Sequence, residues 1–378
     1  MKHKGKVGIL HITDIHFGHN KVSAESIANS IMTMILDNDK DISKNIDLII
    51  LGGDEFDDLL TADSEDFQYA IKFFIFLSKY CSKNKIKIRC VEGTNSHSYG
   101  QMKTIGPIIE TDSNCDFKYV DRLDIEYIPD LDINVLYIPD ELNDKDASIT
   151  MKETNKLLKS KNLDKVDIAI THLYFSYQLP MVKTKSAFPE NEMLDIVKHY
   201  LYNGHVHTHS VYDRLITTGT PERLRHGEEE DKGILYSIID LKNRDNDFYK
   251  FIKNKFSRIF KTIRVYTDSL LELREQIKKE LKSIPKDSFV RLHVDDNNDV
   301  IKNNLLELKK TFKHYIFTEE KISKSKISVM DNKLLEKKTV ETINIDKNNI
   351  IPLILEKVGD KIKGQDLIEL EKELKALL

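Results

Sequence analysis

Five short groups of aspartate, histidine and asparagine carry the most specific chemistry in this sequence. In chain order they are Asp14-Ile15-His16, Gly53-Asp54, Gly93-Thr94-Asn95-Ser96-His97, Thr171-His172 and Gly204-His205-Val206-His207. Carboxylate oxygen and imidazole nitrogen, without thiolate, suit Mn²⁺, Fe or Zn²⁺ and disfavour Ca²⁺. About seven or eight such ligands are too many for one ion, but they suit two ions roughly 3.5–4 Å apart with one bridging carboxylate.

A pair of ions of this kind suits the hydrolysis of a phosphate ester. Two ions lower the pKa of a shared water, polarise the phosphoryl oxygens and offset the charge that develops as the bond breaks. One Asp-x-His group alone predicts little, because most histidines lie on a surface or pack in a core. What favours a shared site is the order of the groups and their positions after predicted strands.

The groups follow short apolar segments that are typical of buried β-strands. These segments are Val7–Ile12, Asp47–Leu51, Ile86–Val91, Asp167–Ile170 and a shorter one before Gly204. Amphipathic segments such as Ser26–Leu36 and Phe67–Tyr80 predict helices between them. The alternation predicts an α/β fold with helices on both faces of a sheet. Because loops at the carboxyl ends of strands converge on one crevice, we expect distant residues to meet there.

Length and composition predict a folded protein of two or three domains. The chain has 378 residues, 40% of them hydrophobic, and 58 Lys+Arg against 62 Asp+Glu leave a net charge of −4. This charge excludes a globally cationic coat protein but allows a local basic groove. Three cysteines without a C-x-x-C pair indicate reduced thiols. With no signal-like start and no long apolar run, we expect a cytoplasmic protein without a membrane span.

The five groups resemble the D-x-H, G-D, G-N-H, H and G-H-x-H series of the calcineurin-like metallophosphoesterase superfamily. A second stretch narrows the resemblance, and it reads Gly219-Thr220-Pro221-Glu222-Arg223, then Glu228-Glu229, then Lys232-Gly233. It is similar to the segment that closes the phosphoesterase domain of the SbcD-type nuclease subunit of the SbcCD double-strand-break repair complex. The resemblance covers about residues 5–240 and implies a metallophosphoesterase sheet core with flanking helices.

The resemblance also implies roles for single residues. Asp14, His16 and His207 would hold the first ion, and His172 and His205 would hold the second. Asp54 would bridge the two ions at the catalytic centre. His97 matches the family's catalytic histidine, which contacts the substrate phosphate or the leaving group.

This sequence departs from the family at the remaining ligand of the second ion. In the family an asparagine directly precedes the catalytic histidine and an aspartate follows it, whereas here these residues are Ser96 and Ser98. Either Asn95 reaches the ion from a longer loop, which we prefer, or Ser96 and water replace the amide. The departure leaves open a catalytically weakened protein.

The implied function is that of a metal-dependent DNA exonuclease and endonuclease. It would hydrolyse phosphodiester bonds with a water activated by two divalent ions, with Mn²⁺ expected. The implied partners are DNA, a coiled-coil ATPase of the SbcC type and a second copy of the chain in a homodimer. Two alternatives stay open: a phosphoesterase for non-DNA substrates, and a structural subunit of the same recombination complex.

The residue pattern of the chain changes after residue 245. Lys250–Arg264 contains six basic residues with interleaved phenylalanines, so it could line a DNA groove or form an amphipathic strand with packed aromatics. Lys253 and Arg258 of this stretch, together with Arg223, are the predicted substrate-binding residues. The predicted domains are a nuclease domain (1–245), an α+β capping and DNA-binding domain (246–318), a connector (319–349) and a C-terminal segment (350–378).

The C-terminal segment contains apolar residues at helical spacing within Gln365–Leu378. Such a helix could dock on the chain's own capping domain or on a partner. Its position after a polar connector favours the partner. The resemblance identifies that partner as the ATPase.

Overall fold

The computed structural model describes residue 2 and residues 5–140, 146–179, 184–295 and 299–322. Most of the predicted connector and the whole predicted C-terminal helix lie outside these residues. The strands, numbered β1 to β15, are Lys6–Ile12, Leu48–Leu51, Lys87–Val91, Phe117–Val120, Asp124–Ile128, Ile133–Ile138, Ile168–Thr171, Leu201–Asn203, Ser210–Tyr212, Leu215–Thr217, Gly233–Asp240, Phe248–Lys253, Phe260–Arg264, Phe289–Asp295 and Ile316–Ile322. The helices, numbered α1 to α9, are Ala24–Asp37, Asp39–Asn45, Glu65–Asn84, Asn95–Ser98, Met102–Ser113, Ala147–Ser160, Glu190–Asp195, Leu270–Leu281 and Val300–Thr311.

Two six-stranded mixed sheets form the centre of the fold. The strand order of the first is β12-β11-β1-β2-β3-β4, and β1 to β4 run parallel. The order of the second is β5-β6-β7-β8-β10-β9, with β6, β7, β8 and β10 parallel. The predicted α/β class is confirmed. Because neighbouring strands are parallel, their carboxyl ends share one edge of each sheet.

The two sheets pack face to face. Val7 and Ile9 of β1 share a buried cluster with Val135 of β6 and Ile168 of β7. Helices α1, α3 and α5 cover the outer face of the first sheet, and α6 and α7 cover that of the second. A second sheet thus covers the face where the sequence predicted helices. Strands buried on both faces are apolar throughout, so their pattern does not reveal which kind of element covers them.

An aromatic cluster anchors the first two ligand loops to α3. Ser64 begins this helix, and its hydroxyl accepts a hydrogen bond from the Phe67 amide. Phe73 of α3 lies with its ring centroid 5.4 Å from that of Phe17, directly after His16 in sequence. The rings of Phe17 and Phe56 are 6.2 Å apart, and all three of these side chains are fully buried. Burial of the rings therefore sets the positions of the polar residues beside them.

A smaller three-stranded sheet, β13-β14-β15, follows the large sheets. Its own apolar cluster includes residues of α8 and α9. Strand β12 belongs to the first large sheet, pairing antiparallel with β11, and residues 1–321 form one compact unit. The predicted domain boundary at residue 245 stays a prediction. No helix of the described ranges has the length and apolarity needed to cross a membrane.

Candidate functional site

Most of the predicted metal-ligating residues converge on one open cavity of about 780 Å³. Asp14 and Asp54 follow β1 and β2 of the first sheet, and His172 and His205 follow β7 and β8 of the second. A hydrogen bond of 2.7 Å from His172 Nδ1 to the Gly52 carbonyl joins the loops of the two sheets. The His205 amide donates to Asp14 Oδ1 at 3.0 Å and joins them again.

The first cluster contains Asp14, His16 and His207, whose candidate ligand atoms lie within 4.8 Å of one another. The Nε2 atoms of the two histidines are 3.0 Å apart. Their Nδ1 atoms are close to carboxylates, 2.9 Å from Asp57 Oδ1 for His16 and 3.3 Å from Glu228 Oε1 for His207. Carboxylates at these positions orient an imidazole and raise its basicity as a metal ligand. The donor set and its surroundings fit a divalent metal ion.

The second cluster contains Asp54, His172 and His205, again within 4.8 Å. His172 Nε2 is 3.1 Å from Asp54 Oδ2. Because His172 Nδ1 donates to a carbonyl, Nε2 is the nitrogen that faces the cluster. His172 is fully buried and Asp54 nearly so. Buried carboxylates and imidazoles in such contact are typical of metal sites, and this set also fits a divalent ion.

Four residues of these clusters have left-handed backbone conformations. The φ angles are 53° for Asp14, 56° for His16, 53° for Asp54 and 75° for His205. Residues other than glycine rarely adopt positive φ, and such strain concentrates at functional sites. The surrounding loops therefore hold these side chains in place at an energetic cost.

Glycine at position 93 allows the loop after β3 to reach the second cluster. A Cβ atom there would lie 2.1 Å from the Asp54 amide nitrogen and 2.3 Å from Asp54 Oδ1. Neither backbone could accept such a contact without moving. The next residue, Thr94, donates its amide to Asp54 Oδ1 at 2.6 Å. Thr94 directly follows the motif glycine, and this position is the signal that could have identified it from the sequence.

Charge coupling inside the second cluster separates the pKa values of its members. Burial acts to lower the pKa of His172, but the Asp54 carboxylate outweighs it and raises this pKa to about 10. The contact with His172 in turn lowers the pKa of Asp54 although burial opposes it. Burial, and then the charge of His172, lower the pKa of His205 to about 3. A cation and a proton therefore compete for His172 Nε2.

His97 reaches the cavity beside the first cluster. Its Nδ1 donates to the Asp57 carbonyl oxygen at 2.9 Å, and its ring centroid is 5.2 Å from that of His16. The side chain is 39% exposed. Nε2 is thus the nitrogen that can exchange a proton with a molecule in the cavity. Asp57 therefore contacts both histidines, His16 through its carboxylate and His97 through its backbone carbonyl.

Asn95 and Ser96 are not brought to the second cluster. Both are exposed in the short helix α4, and neither lines the cavity within the described part of the chain. The proposed ligand role of Asn95 stays a prediction.

The three predicted substrate-binding residues lie elsewhere. The Arg223 amide donates to Glu222 Oε1, Lys253 pairs with Asp231 at the surface, and the Arg258 guanidinium is 6.0 Å from the Phe289 ring centroid. Among the described residues, none of these three lines the cavity. Their substrate role also stays a prediction.

The cavity contains two other side chains suited to an anionic or aromatic ligand. Arg225 is exposed at the rim, and its Nε is 3.2 Å from Glu228 Oε1. Tyr174 is 36% exposed, and its ring centroid is 3.9 Å from that of His205. Sequence reasoning missed both residues, because nothing in their immediate sequence distinguishes them from ordinary surface residues.

The stretch Lys250–Arg264 forms β12, a turn and β13. Phe260 is buried and stacks on Phe289 with centroids 4.5 Å apart, whereas Phe256 is 58% exposed. The buried carboxylate of Glu222 accepts hydrogen bonds from the Arg258 amide and the Ser257 hydroxyl. Part of the stretch is therefore packed as an amphipathic strand. Glu222 joins the turn between β12 and β13 to the segment that contains Glu222 itself, Gly219–Arg223.

No protein-family model matches the chain, and no curated protein matches it. One solved crystal structure aligns with 65% of this chain and 99% of its own, at 10% identity and a TM-score of 0.38. The crystal structure of TT1561 of Thermus thermophilus aligns over the same shares at 12% identity and a TM-score of 0.35. Likenesses this distant carry no conclusion about function.

Proposed function

We propose that the protein is a metal-dependent phosphodiesterase that cleaves DNA. It would be the SbcD-type nuclease subunit of an ATPase-coupled complex for DNA end processing, repair and recombination in the cytoplasm. The supporting observation is the pair of Asp/His clusters in one open cavity. Two divalent ions at about 3.5–4 Å separation are a recurrent solution for phosphoester cleavage.

The residues of both clusters have distinct roles in this proposal. Asp14, His16 and His207 would hold one ion, His172 and His205 would hold another, and the Asp54 carboxylate would serve both sites. When bound, the two ions, Mn²⁺ in this proposal, polarise the phosphoryl oxygens and lower the pKa of water.

His97 is the acid of the proposed reaction. Its Nδ1 is held by the Asp57 carbonyl, so a protonated His97 presents Nε2–H to the leaving oxygen. Positioned acids of this kind contribute about 10²–10⁴-fold to a rate. Asp57 positions His97, the acid, through its backbone carbonyl. The carboxylate of Asp57 positions His16.

Two features of the cavity support a nucleic acid substrate. The cavity is open, and Arg225 at its rim can attract a phosphate backbone. Tyr174 presents a partly exposed ring on which an unpaired base can stack. DNA, the ATPase bound through the C-terminal segment, and a second copy of the chain are the partners in this proposal.

One observation favours the alternative of a catalytically weakened subunit of the same complex. Asn95, the only nearby amide that the motif offers for the second ion, is exposed. The two proposals make different predictions for hydrolysis by the isolated chain.

The test compares hydrolysis of a phosphomonoester, a phosphodiester and linear duplex DNA by the purified protein with Mn²⁺. We expect turnover of the diester and of DNA, and a loss of about 10²–10³-fold or more in Asp54→Asn, as for removal of other groups that stabilise transition-state charge. Asp58→Asn is the matched control, because Asp58 is exposed four residues further along the same loop. Preferential turnover of the monoester would support the non-DNA phosphoesterase. Absent turnover with both metal clusters loaded would support the weakened subunit.

A further inference from the structure

The side-chain hydroxyl of Thr94 lies inside the second cluster. Thr94 Oγ1 is 3.1 Å from His205 Nδ1 and 3.5 Å from His172 Nε2. The Thr94 amide donates to Asp54 Oδ1 at 2.6 Å. The residue thus contacts every member of the cluster, by its side chain or its backbone.

The position of this hydroxyl is set by the loop and not by rotation of a free side chain. Thr94 follows Gly93, whose backbone approaches Asp54 too closely for a Cβ atom. The hydrogen bond from the Thr94 amide to Asp54 Oδ1 then fixes the Thr94 backbone. A β-branched side chain also has few rotamers to choose from. The hydroxyl oxygen of Thr94 is therefore an uncharged potential metal-ligand atom whose position is fixed before any ion binds.

We propose that Thr94 Oγ1 is a ligand of the ion held by Asp54, His172 and His205. This inference rests on the proposed function, since it requires that the second cluster binds a metal. It assigns to a threonine the place for which the sequence offered Asn95 or Ser96.

The assignment makes the two clusters unequal in affinity. In the first cluster, carboxylates contact the Nδ1 atoms of both histidines, which strengthens imidazole as a ligand. In the second cluster, a neutral hydroxyl completes the set and a carbonyl holds His172. We therefore expect two ions to load in sequence, with the second bound more weakly and governing activity.

Replacements at this position separate a ligand from a simple hydrogen-bond partner of His205. Thr94→Val keeps the shape and removes the oxygen. Thr94→Ser keeps the oxygen. Thr94→Asp supplies a charged oxygen, which binds a divalent ion more strongly than a hydroxyl does. If Thr94 is a ligand, the second Mn²⁺ ion should bind more weakly to Thr94→Val and with similar affinity to Thr94→Ser. It should bind more tightly to Thr94→Asp.

The experiment is calorimetric titration of the chelator-treated full chain with MnCl₂, which does not depend on catalysis. We expect two loading events in the wild type. Thr94→Val should weaken the affinity for the second ion at least about tenfold, since loss of a residue that supports a metal ligand typically costs about 10–100-fold in affinity. The affinity for the first ion should stay within about twofold. Thr33→Val is the matched control, because Thr33 lies on α1 with its hydroxyl donating to Asn29.

Three results would overturn the inference. Unchanged second loading in Thr94→Val would show that Thr94 is not a ligand, with the proposed function intact. Equal weakening of both loadings would show a general disturbance of the site. No Mn²⁺ binding by the wild type would overturn the proposed function together with this inference.

Discussion

Replacing Glu228 by glutamine should destabilise the protein and loosen its first cluster. Glu228 is 5% exposed. Its Oε1 is 3.3 Å from His207 Nδ1 and its Oε2 is 3.3 Å from Lys232 Nζ. Lys232 is itself 1% exposed. Loss of one partner from a buried ion pair leaves the other charge poorly compensated.

The size of the effect follows from the pKa of Glu228. Burial acts to raise this pKa, but the hydrogen bond with His207 and the charge of Lys232 lower it from 4.5 to about 2. A difference of about 2.5 units corresponds to about 3 kcal/mol. Because the folded pKa is the lower one, the stabilisation is fully present above about pH 4.5. It is lost as the pH falls toward 2, so about 1.4 kcal/mol remains at pH 3.

The assay is urea unfolding of the chelator-treated protein at pH 7 and pH 3. Glu228→Gln should lose about 3 kcal/mol of unfolding free energy at pH 7 and less than half of that at pH 3. Glu229→Gln is the matched control, because Glu229 is the exposed neighbour. A loss below about 1 kcal/mol at pH 7, or an equal loss at both pH values, would refute the reasoning.

Three further changes have definite expected outcomes. Glu222→Ala should lower the unfolding free energy by about 2–4 kcal/mol, since buried hydrogen bonds to the turn at Ser257 are lost; an unchanged urea midpoint would contradict this. His97→Gln should slow diester hydrolysis about 10²–10⁴-fold while calorimetry shows Mn²⁺ affinity within about threefold, and a large loss of affinity would argue against an acid role. Gly93→Ala should abolish the second Mn²⁺ loading because its Cβ would overlap the Asp54 backbone; normal loading would disprove that close approach.

The α/β class could be predicted because its signals are local. Buried strands read as apolar runs, and polar ligands directly after them mark the carboxyl edge. Asp54 and His172 illustrate the point, since each lies within three residues of a strand end. What covers each sheet is not local information, and the packing of β1 against β6 could not be read from either segment.

Thr94 shows what motif spacing alone does not indicate. Counting back from His97 leads to Ser96 or Asn95, whereas the close approach at the start of the loop determines which residue contacts the cluster. The close approach of Gly93 to Asp54 places the very next residue in the cluster. The residues that follow Thr94, beginning with Asn95, form the short helix α4.

The basic residues show a second limit of sequence reasoning. Arg223 and Arg225 are two positions apart and equally charged, yet only Arg225 lines the cavity. The Arg223 backbone is held by the buried carboxylate of Glu222. Which arginine faces the cavity depends on this three-dimensional contact and not on composition.

The most direct test of the central claim is X-ray diffraction near the manganese absorption edge from crystals of the protein equilibrated with Mn²⁺. We predict two anomalous peaks in the cavity. One should lie within coordinating distance of Asp14, His16 and His207, and the other within reach of Asp54 and the second pair of histidines. A cavity without any anomalous peak, with both clusters ordered as described, would contradict the account.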